Sequence, residues 1–425
     1  MDWNRWYAIR SYLRSTLWLV PLAALVLEQI AIHVVSAIER TLYWVPELAT
    51  TAAATIGELD VVVTMAMSFI VFTFGSMLVA LQVASGQLTP RIIATTLLQD
   101  NVIRFTVGLF VFTLLFAAGT RARVDVDIPH LAVTVTAALG IASVMAFLFL
   151  IDYTARLLRP ISIVQRIAEY GIKVIESVYP DAVKEPQVRI PPRGRPDNMA
   201  RAVEHRGRSA IVLAVNLGAL MAVARQTEGV VEFLPRVGDF VASGEPLFRL
   251  YGGAAKINDR TLRAQVAFGP ERTIEQDSTF AFRVIVDVAI KALSKAINDP
   301  TTAVLAIDQL HRLLRQVGRR HLHDDALFDA VGSLRLIFPT ADWDDFVQLS
   351  CREIRLYGAG NFQIARRLRA MIDNLVQTLP EARHPALQCE LSLLDRTLEK
   401  IHEFPEDLAL ARQPDIQGLG GSSAR

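Results

Sequence analysis

Two groups of residues in this chain have types and spacing suited to chemistry. The first lies between 268 and 310. It holds Arg272, Gln276 and Asp277, then Asp287, then Asn298, Asp299, Thr301 and Thr302. A guanidinium, amides, carboxylates and hydroxyls are the polar groups that fix a small ligand in a pocket. Asp299 suits a helix N-cap and Pro300 the first helical position, which places the two threonines where a helix N-terminus can receive an anion or a phosphate. The second group falls in apolar surroundings: Glu28 and His33, then Gln82, Ser85, Gln87 and Arg91. Ionisable groups within a membrane usually face a cavity or a partner and mark proton or ion paths.

The first group needs two helices to position it. Gly269 and Pro270 interrupt what precedes them, so a helix can run over 271–294. Arg272, Gln276, Thr279, Arg283, Asp287, Lys291 and Ser294 then share one stripe, and Phe280, Val284, Ile285, Val288, Ala289 and Ala292 share the other. Asp287 can pair with Arg283 or Lys291 at i, i+4. After a turn at 296–298, a second helix over 300–317 buries Val304, Ile307, Leu310 and Leu314. On this plan Arg272, Asp277, Asn298, Asp299 and Thr301 line one polar pocket. The competing reading is two packed helices with solvated charge ladders and an ordinary cap.

The second group sits among four apolar runs, expected to span a membrane at 15–38, 59–81, 102–119 and 130–151, each near the roughly 20 residues a crossing helix needs. Hydrophobic residues make up 52% of the 425 and charged residues 20%, and the mean hydropathy is +0.32, values that favour an integral membrane protein. Pro21 is expected to kink the first span, and Trp3, Trp6 and Tyr7 with Arg5, Arg10 and Arg14 suggest an interfacial anchor before it. Eight arginines flank the spans on the side of the N-terminus and three (Arg40, Arg121, Arg123) on the other, which puts both termini in the cytoplasm of a bacterial cell, with the spans in its inner membrane. Residues 82–91 make either a simple elbow or, through Gln82, Ser85 and Gln87, a polar constriction at a pore mouth. Glu28 lines either a cavity or a polar helix seam.

The remainder divides into a helical extension and linker (158–206), a small α/β module (207–267), a helical domain (268–403) with helices over 326–337, 342–357, 361–378 and 384–402, and a disordered tail (404–425). The phrase Val237-Gly238-Asp239 is similar to the turns of biotinyl/lipoyl-like small barrels, without their lysine, and is taken as turn geometry. His321-Leu322-His323-Asp324-Asp325 is read as a solvated helix start, not a metal site. The fold class is therefore membrane α-helical with four spans, plus a cytoplasmic α+β domain dominated by helices.

Arg272-Thr273, Gln276-Asp277, Asp287-x-Ala289, Ala292-Leu293-Ser294 and the run from Ile297 through Asn298-Asp299-Pro300-Thr301-Thr302 to Ala303 resemble the signature of a bacterial predicted-membrane-protein family, known as domain of unknown function twenty-two fifty-four. The stretch 81–91 fits its pattern too. The resemblance extends from the first span to about residue 400. It implies a membrane location and a fold plan but no reaction, so it assigns no catalytic residue and no cofactor.

No P-loop, GxGxxG, nucleophile elbow or HExxH occurs in the sequence. Charge is balanced at 44 basic and 43 acidic residues, which argues against nucleic acid as a partner. The two cysteines, Cys351 and Cys389, form no CxxC. The expected partners are the lipid bilayer and further copies of the chain. Two functions follow: an oligomeric ion channel or transporter gated by a cytoplasmic sensing domain, or a membrane-tethered enzyme or small-anion-binding module whose spans anchor and oligomerise it.

Overall fold

The computed structural model describes residues 3–16, 18–41, 52–87, 100–124, 129–157, 159–183, 198–322 and 325–420. The chain forms two compact units, Tyr12–Ile163 and Met1–Ser11 with Val164–Arg425. Two helices, α1 (Trp3–Ser15) and α6 (Pro160–Val178), cross the division in sequence.

The first unit contains α2 (Leu19–Thr41), α3 (Ala52–Gln87), α4 (Asn101–Arg121) and α5 (His130–Leu157). All four are long and apolar enough to cross a membrane. They overlap the expected spans, the first beginning later, at Leu19, and the second earlier, at Ala52. Leu27, Phe105, Ile141 and Met145 are more than half exposed on the outside, as lipid-facing side chains are. Inside, Phe69 stacks on Phe147 at 4.1 Å, and the fully buried hydroxyls of Thr113 and Ser143 meet at 3.0 Å. Small residues allow close approach between apolar helices. Gly108 faces Val20, and Gly119 faces Ile32 and the Glu28 carboxylate, both across the α2–α4 contact. Asp100 caps α4 and accepts a 2.6 Å hydrogen bond from the Tyr153 hydroxyl. The expected kink at Pro21 is replaced by a clean helix start: α2 begins at Leu19, so Pro21 stands in the first turn, where no hydrogen bond is lost.

The second unit is built on two antiparallel-dominated sheets and a stack of helices. Its elements are β1 (Met199–Glu204), β2 (Ala210–Val215), α7 (Leu217–Gln226), β3 (Val230–Phe233), β4 (Phe240–Val241), β5 (Pro246–Tyr251), α8 (Asp259–Arg263) and β6 (Val266–Gly269). There follow α9 (Ser278–Ala292), α10 (Pro300–Gly318), β7 (Ala326–Phe328), β8 (Leu334–Ile337), α11 (Trp343–Gly358), α12 (Phe362–Thr378), α13 (His384–Ile401) and α14 (Pro405–Ala411). The strand orders are β1-β5-β3-β8-β7 and β4-β2-β6. Leu220, Phe248, Leu250 and Leu336 fill the core beneath the larger sheet. In α9 the apolar side chains are not confined to a stripe. Phe280, Phe282, Ile285, Val286 and Ala289 are all buried, which makes it the central helix of the unit.

Three expectations are corrected here. The helix read over 326–337 is a hairpin. Asp329 accepts from the backbone N–H groups of Val331 and Ser333, Gly332 takes φ +78°, and β8 then pairs in parallel with β3. The α/β module and the helical domain therefore share one sheet across the expected boundary at 267. The tail read as disordered from 404 contains α14 and is tied down as far as Gly420. Arg366 donates to the Gln413 and Gly420 carbonyls at 3.0 and 3.1 Å, and Asp415 accepts from the N–H groups of Gln417, Gly418 and Gly420. Finally, the residues up to Ser11, read as leading into the first span, group with the second unit, and the Asn4 N–H donates to the Ala264 carbonyl at 3.2 Å.

Candidate functional site

The expected first signature helix begins later than its pattern suggests. Asp277 is its N-cap, accepting from the Phe280 N–H at 3.1 Å, so α9 starts at Ser278 and Arg272 and Gln276 precede it in an irregular segment. That segment folds back on the cap. Arg272 ion-pairs with Asp277 and donates to the Thr279 hydroxyl at 3.2 Å, and the Thr279 hydroxyl donates to Asp277 at 2.6 Å. The guanidinium also lies over the Phe280 ring at 5.5 Å. Gln276 accepts from the Val215 N–H at 3.0 Å, pinning the segment to the end of β2. Asp277 is buried at 4% exposure, and three donors, the Phe280 N–H, the Thr279 hydroxyl and the Arg272 guanidinium, satisfy its carboxyl group there.

Gly238, at the turn before β4, completes the arrangement. Its φ is +96°, and a Cβ there would collide with Arg272 Nε and Asp277 Oδ2. The phrase read as shared turn geometry thus touches the signature directly.

These residues wall a cavity of about 660 Å³, within the range of small-molecule sites. Arg272, Gln276, Asp277, Ser278 and Thr279 form one side. Trp3, Tyr179, Phe233 and Phe338 supply aromatic surface, and Arg236, Asp239 and Asp345 add charge. Arg236 donates to Asp345 at 3.0 Å, and Asp345 closes a capping box with Asp342 at the start of α11. Burial pushes the Tyr179 phenol up, against a hydrogen bond to Ser278 that pulls it down. The lining contains no His or Cys, and among the described residues no cluster of metal ligands occurs. Chemically the site can hold and orient a ligand. Its hydroxyl–carboxylate contact, Thr279 on Asp277, is tied into the Arg272 ion pair.

The remaining expected ligands lie elsewhere. Asn298, exposed and at φ +48°, and Asp299 form the corner at the far end of α9, whose 15 residues place it about 22 Å from Asp277. Asp299 is spent on capping α10: it accepts from the Thr302 N–H at 3.1 Å and from the Thr302 hydroxyl. Thr301 is exposed beside it. Asp287 pairs with Arg283, which also reaches Glu353 on α11. The Glu353 hydrogen bond, with Asp287, raises the guanidinium's affinity for its proton, and the Glu353 carboxyl falls below its usual range. The signature therefore makes two structures: a cavity wall at one end of α9 and a capped corner at the other.

In the membrane unit, Glu28 is 3% exposed and accepts from Gln29 at 2.8 Å, while His33 is exposed and bonds back to the Gln29 carbonyl. Gln82 is exposed on α3, which runs on to Gln87. The side chains of Ser85 and Gln87, Arg91 altogether, and His323 and Asp324 lie outside the described residues. The sequence reading passed over the wall residues Trp3, Tyr179 and Arg236, and Gly238, which backs the Arg272–Asp277 pair. Only Gly238 carried a signal, a glycine between a valine and an aspartate at a turn.

A model of a family described as a predicted membrane protein, DUF2254, matches residues 14–374. The chain belongs to that family. Two relatives, the uncharacterized proteins Rv1290c of Mycobacterium tuberculosis and Mb1321c of Mycobacterium bovis, are each 26% identical to it over 427 aligned positions, covering 95% of this chain and 80% of the relative. No solved structure matches. This DUF2254 chain is thus a multi-pass membrane protein, and its site geometry carries the functional reading.

Proposed function

We propose that this DUF2254 protein is a membrane-anchored receptor for a small organic ligand, bound in the cavity of its second unit. The observation that carries the reading is the position of the family signature. Arg272, Gln276 and Asp277 are organised by their own hydrogen bonds into the wall of a cavity of about 660 Å³. The small-anion version of the idea has less support, because Arg272 is ion-paired with Asp277 and Arg236 with Asp345. A partly apolar molecule carrying hydroxyl, amide or amine groups fits four aromatic rings and this self-neutralised polar wall better. We place the four spans in a bacterial inner membrane with the second unit in the cytoplasm, on the arginine distribution.

The test is a thermal-shift screen of the full chain in detergent against a panel of polar metabolites, run in parallel on Ala341→Trp, which adds an indole at a lining position. Compounds that stabilise the wild type and not the filled variant support the reading. Compounds that stabilise both equally place binding elsewhere and overturn it.

A second reading, conduction through an oligomer, draws on one observation. Glu28 is buried against Gly119 between two spans. Liposome flux lowered by Glu28→Gln would favour it, and flux equal to that of empty liposomes would remove it.

A further inference from the structure

Two parts of the cavity wall come from the helices that lead to the membrane unit. Trp3 stands in the first turn of α1, and Ser177, Val178 and Tyr179 form the end of α6. In sequence α1 stops at Ser15, just before the first span opens at Leu19, and α6 opens at Pro160, just after the fourth closes at Leu157. The first and last spans are therefore each joined to the cavity by a single short helix.

The two helices are held differently. Residues of α6 press on both signature helices. A Cβ at Gly171 would meet Ala281 of α9 at 2.8 Å and Leu313 of α10 at 3.1 Å. Glu176 accepts from Gln316 at 2.8 Å, and Tyr179 closes on Ser278 at the start of α9 and on the Phe346 ring. An element packed this closely moves with its neighbours. In contrast, α1 is held by its first turns. Asn4 donates to the Ala264 carbonyl, the Trp3 and Tyr7 rings lie 5.4 Å apart, and the Tyr7 hydroxyl is buried beside Thr273 and Glu275 of the signature segment. Farther along, Ile9 and Leu13 are exposed.

We propose that occupancy of the cavity is relayed to the membrane unit through α1 and α6, with α6 the tight coupling and α1 the loose one. This rests on the receptor reading above, since a relay needs a ligand that favours one arrangement of the wall over another. It gives that site its regulation: a filled cavity holds Trp3 and Tyr179 in place, an empty one releases them, and both changes arrive at the ends of the outer spans.

The experiment is hydrogen exchange on the full chain in lipid nanodiscs, comparing wild type with Ala341→Trp. The indole stands in for the ligand, so failure here is separate from failure of the metabolite screen. Filling is expected to slow exchange about threefold or more in 4–11 and 172–178 and in the first turn of α2. Leu356→Trp, on an exposed position outside the lining, is the control and leaves these segments unchanged. Adding Trp3→Ala to the filled variant removes the response of α1 and keeps that of α6. Slowed exchange confined to 235–239 and 338–345 overturns the relay. Should Ala341→Trp not fold, Ala341→Leu gives the same readout with a smaller filling group.

Discussion

Gly238 lies against Asp277 so closely that no side chain fits between them, and the contact joins the turn before β4 to the cap of the central helix α9. Two demands fall on this one position. The backbone is at φ +96°, and the space a Cβ would take is filled by the Arg272–Asp277 ion pair. Gly244 shares only the first demand, with φ +89° and open surroundings. Gly244→Ala is expected to cost about 1 kcal/mol from backbone strain alone. Gly238→Ala is expected to cost about 3 kcal/mol, because the ion pair must also move. Thermal unfolding of the two variants side by side measures the difference. Equal losses would mean the ion pair yields freely.

The membrane unit offers a similar comparison. Gly108 and Gly119 are each filled by a side chain of α2, with Val20 and Ile32 carbons at 2.6 Å from a would-be Cβ, whereas Gly75 on α3 meets nothing within 4 Å. Gly108→Val and Gly119→Val are expected to lower the melting temperature in detergent by several degrees, on the order of 2 kcal/mol each. Gly75→Val is expected to leave it within about 0.5 kcal/mol. A ranking in which Gly75 is the sensitive position would contradict the packing described.

Glu390 of α13 predicts a pH dependence. It is 2% exposed; Arg352 donates to one of its oxygens at 3.2 Å, and the other has no hydrogen-bond partner among the described residues. Burial raises its carboxyl above the ordinary value of 4.5, and Arg352 and Arg355 counteract this only in part. A folded state that holds its proton more tightly than the unfolded chain loses stability as pH rises from about 4.5 through the raised value. Glu390→Gln should therefore melt higher than wild type at pH 8 and converge with it in acid. A gap of the same size at both pH values would show that charge is not the cause.

Asp415 has the opposite sign. Its burial works against ionisation, yet the N–H groups of Gly420, Gly418 and Gln417 outweigh that and hold the carboxyl below 3.8. The stability it lends to residues 413–420 is complete above the ordinary carboxylate range and disappears as pH falls through the lowered value. Pepsin, which works in acid, is expected to spare this segment at pH 4 and to clip it only once pH falls through the lowered value. Asp415→Asn, lacking the charge, is expected to be clipped already at pH 4. Wild-type cleavage at pH 4 would remove the argument.

Much of this architecture is legible in the sequence because its signals are local. A run such as Leu19–Glu39 reads as a span on composition alone, and Asp299-Pro300 announces the start of α10, which is where it starts. The failures share a physical cause. The stripe that joins Arg272 to Ser294 at helical spacing is real as a pattern, but Asp277 caps the backbone partway along it, and cap geometry overrides periodicity. Residues 326–337 carry enough Leu and Phe for either element, and the parallel partner β3 that decides between them lies about a hundred residues away. For the site itself, Asp277 and Arg272 are found from their types, whereas Trp3 and Tyr179 become wall residues only through tertiary contacts. The pocket imagined from Asp277 to Asp299 fails because α9 keeps its ends apart.

The hydrogen bond from Asn4 to Ala264 has a consequence for how the chain is made. During synthesis α1 emerges before its partner carbonyl is translated. All four apolar helices precede residue 264 in the chain, and the Thr273 and Glu275 neighbours of Tyr7 come later still. The first turns of α1 must therefore wait, Trp3 and Tyr7 uncovered, while the bilayer segments are inserted. The cavity wall cannot close until Trp3 meets residues translated much later, so it is completed only after all four apolar helices have been made.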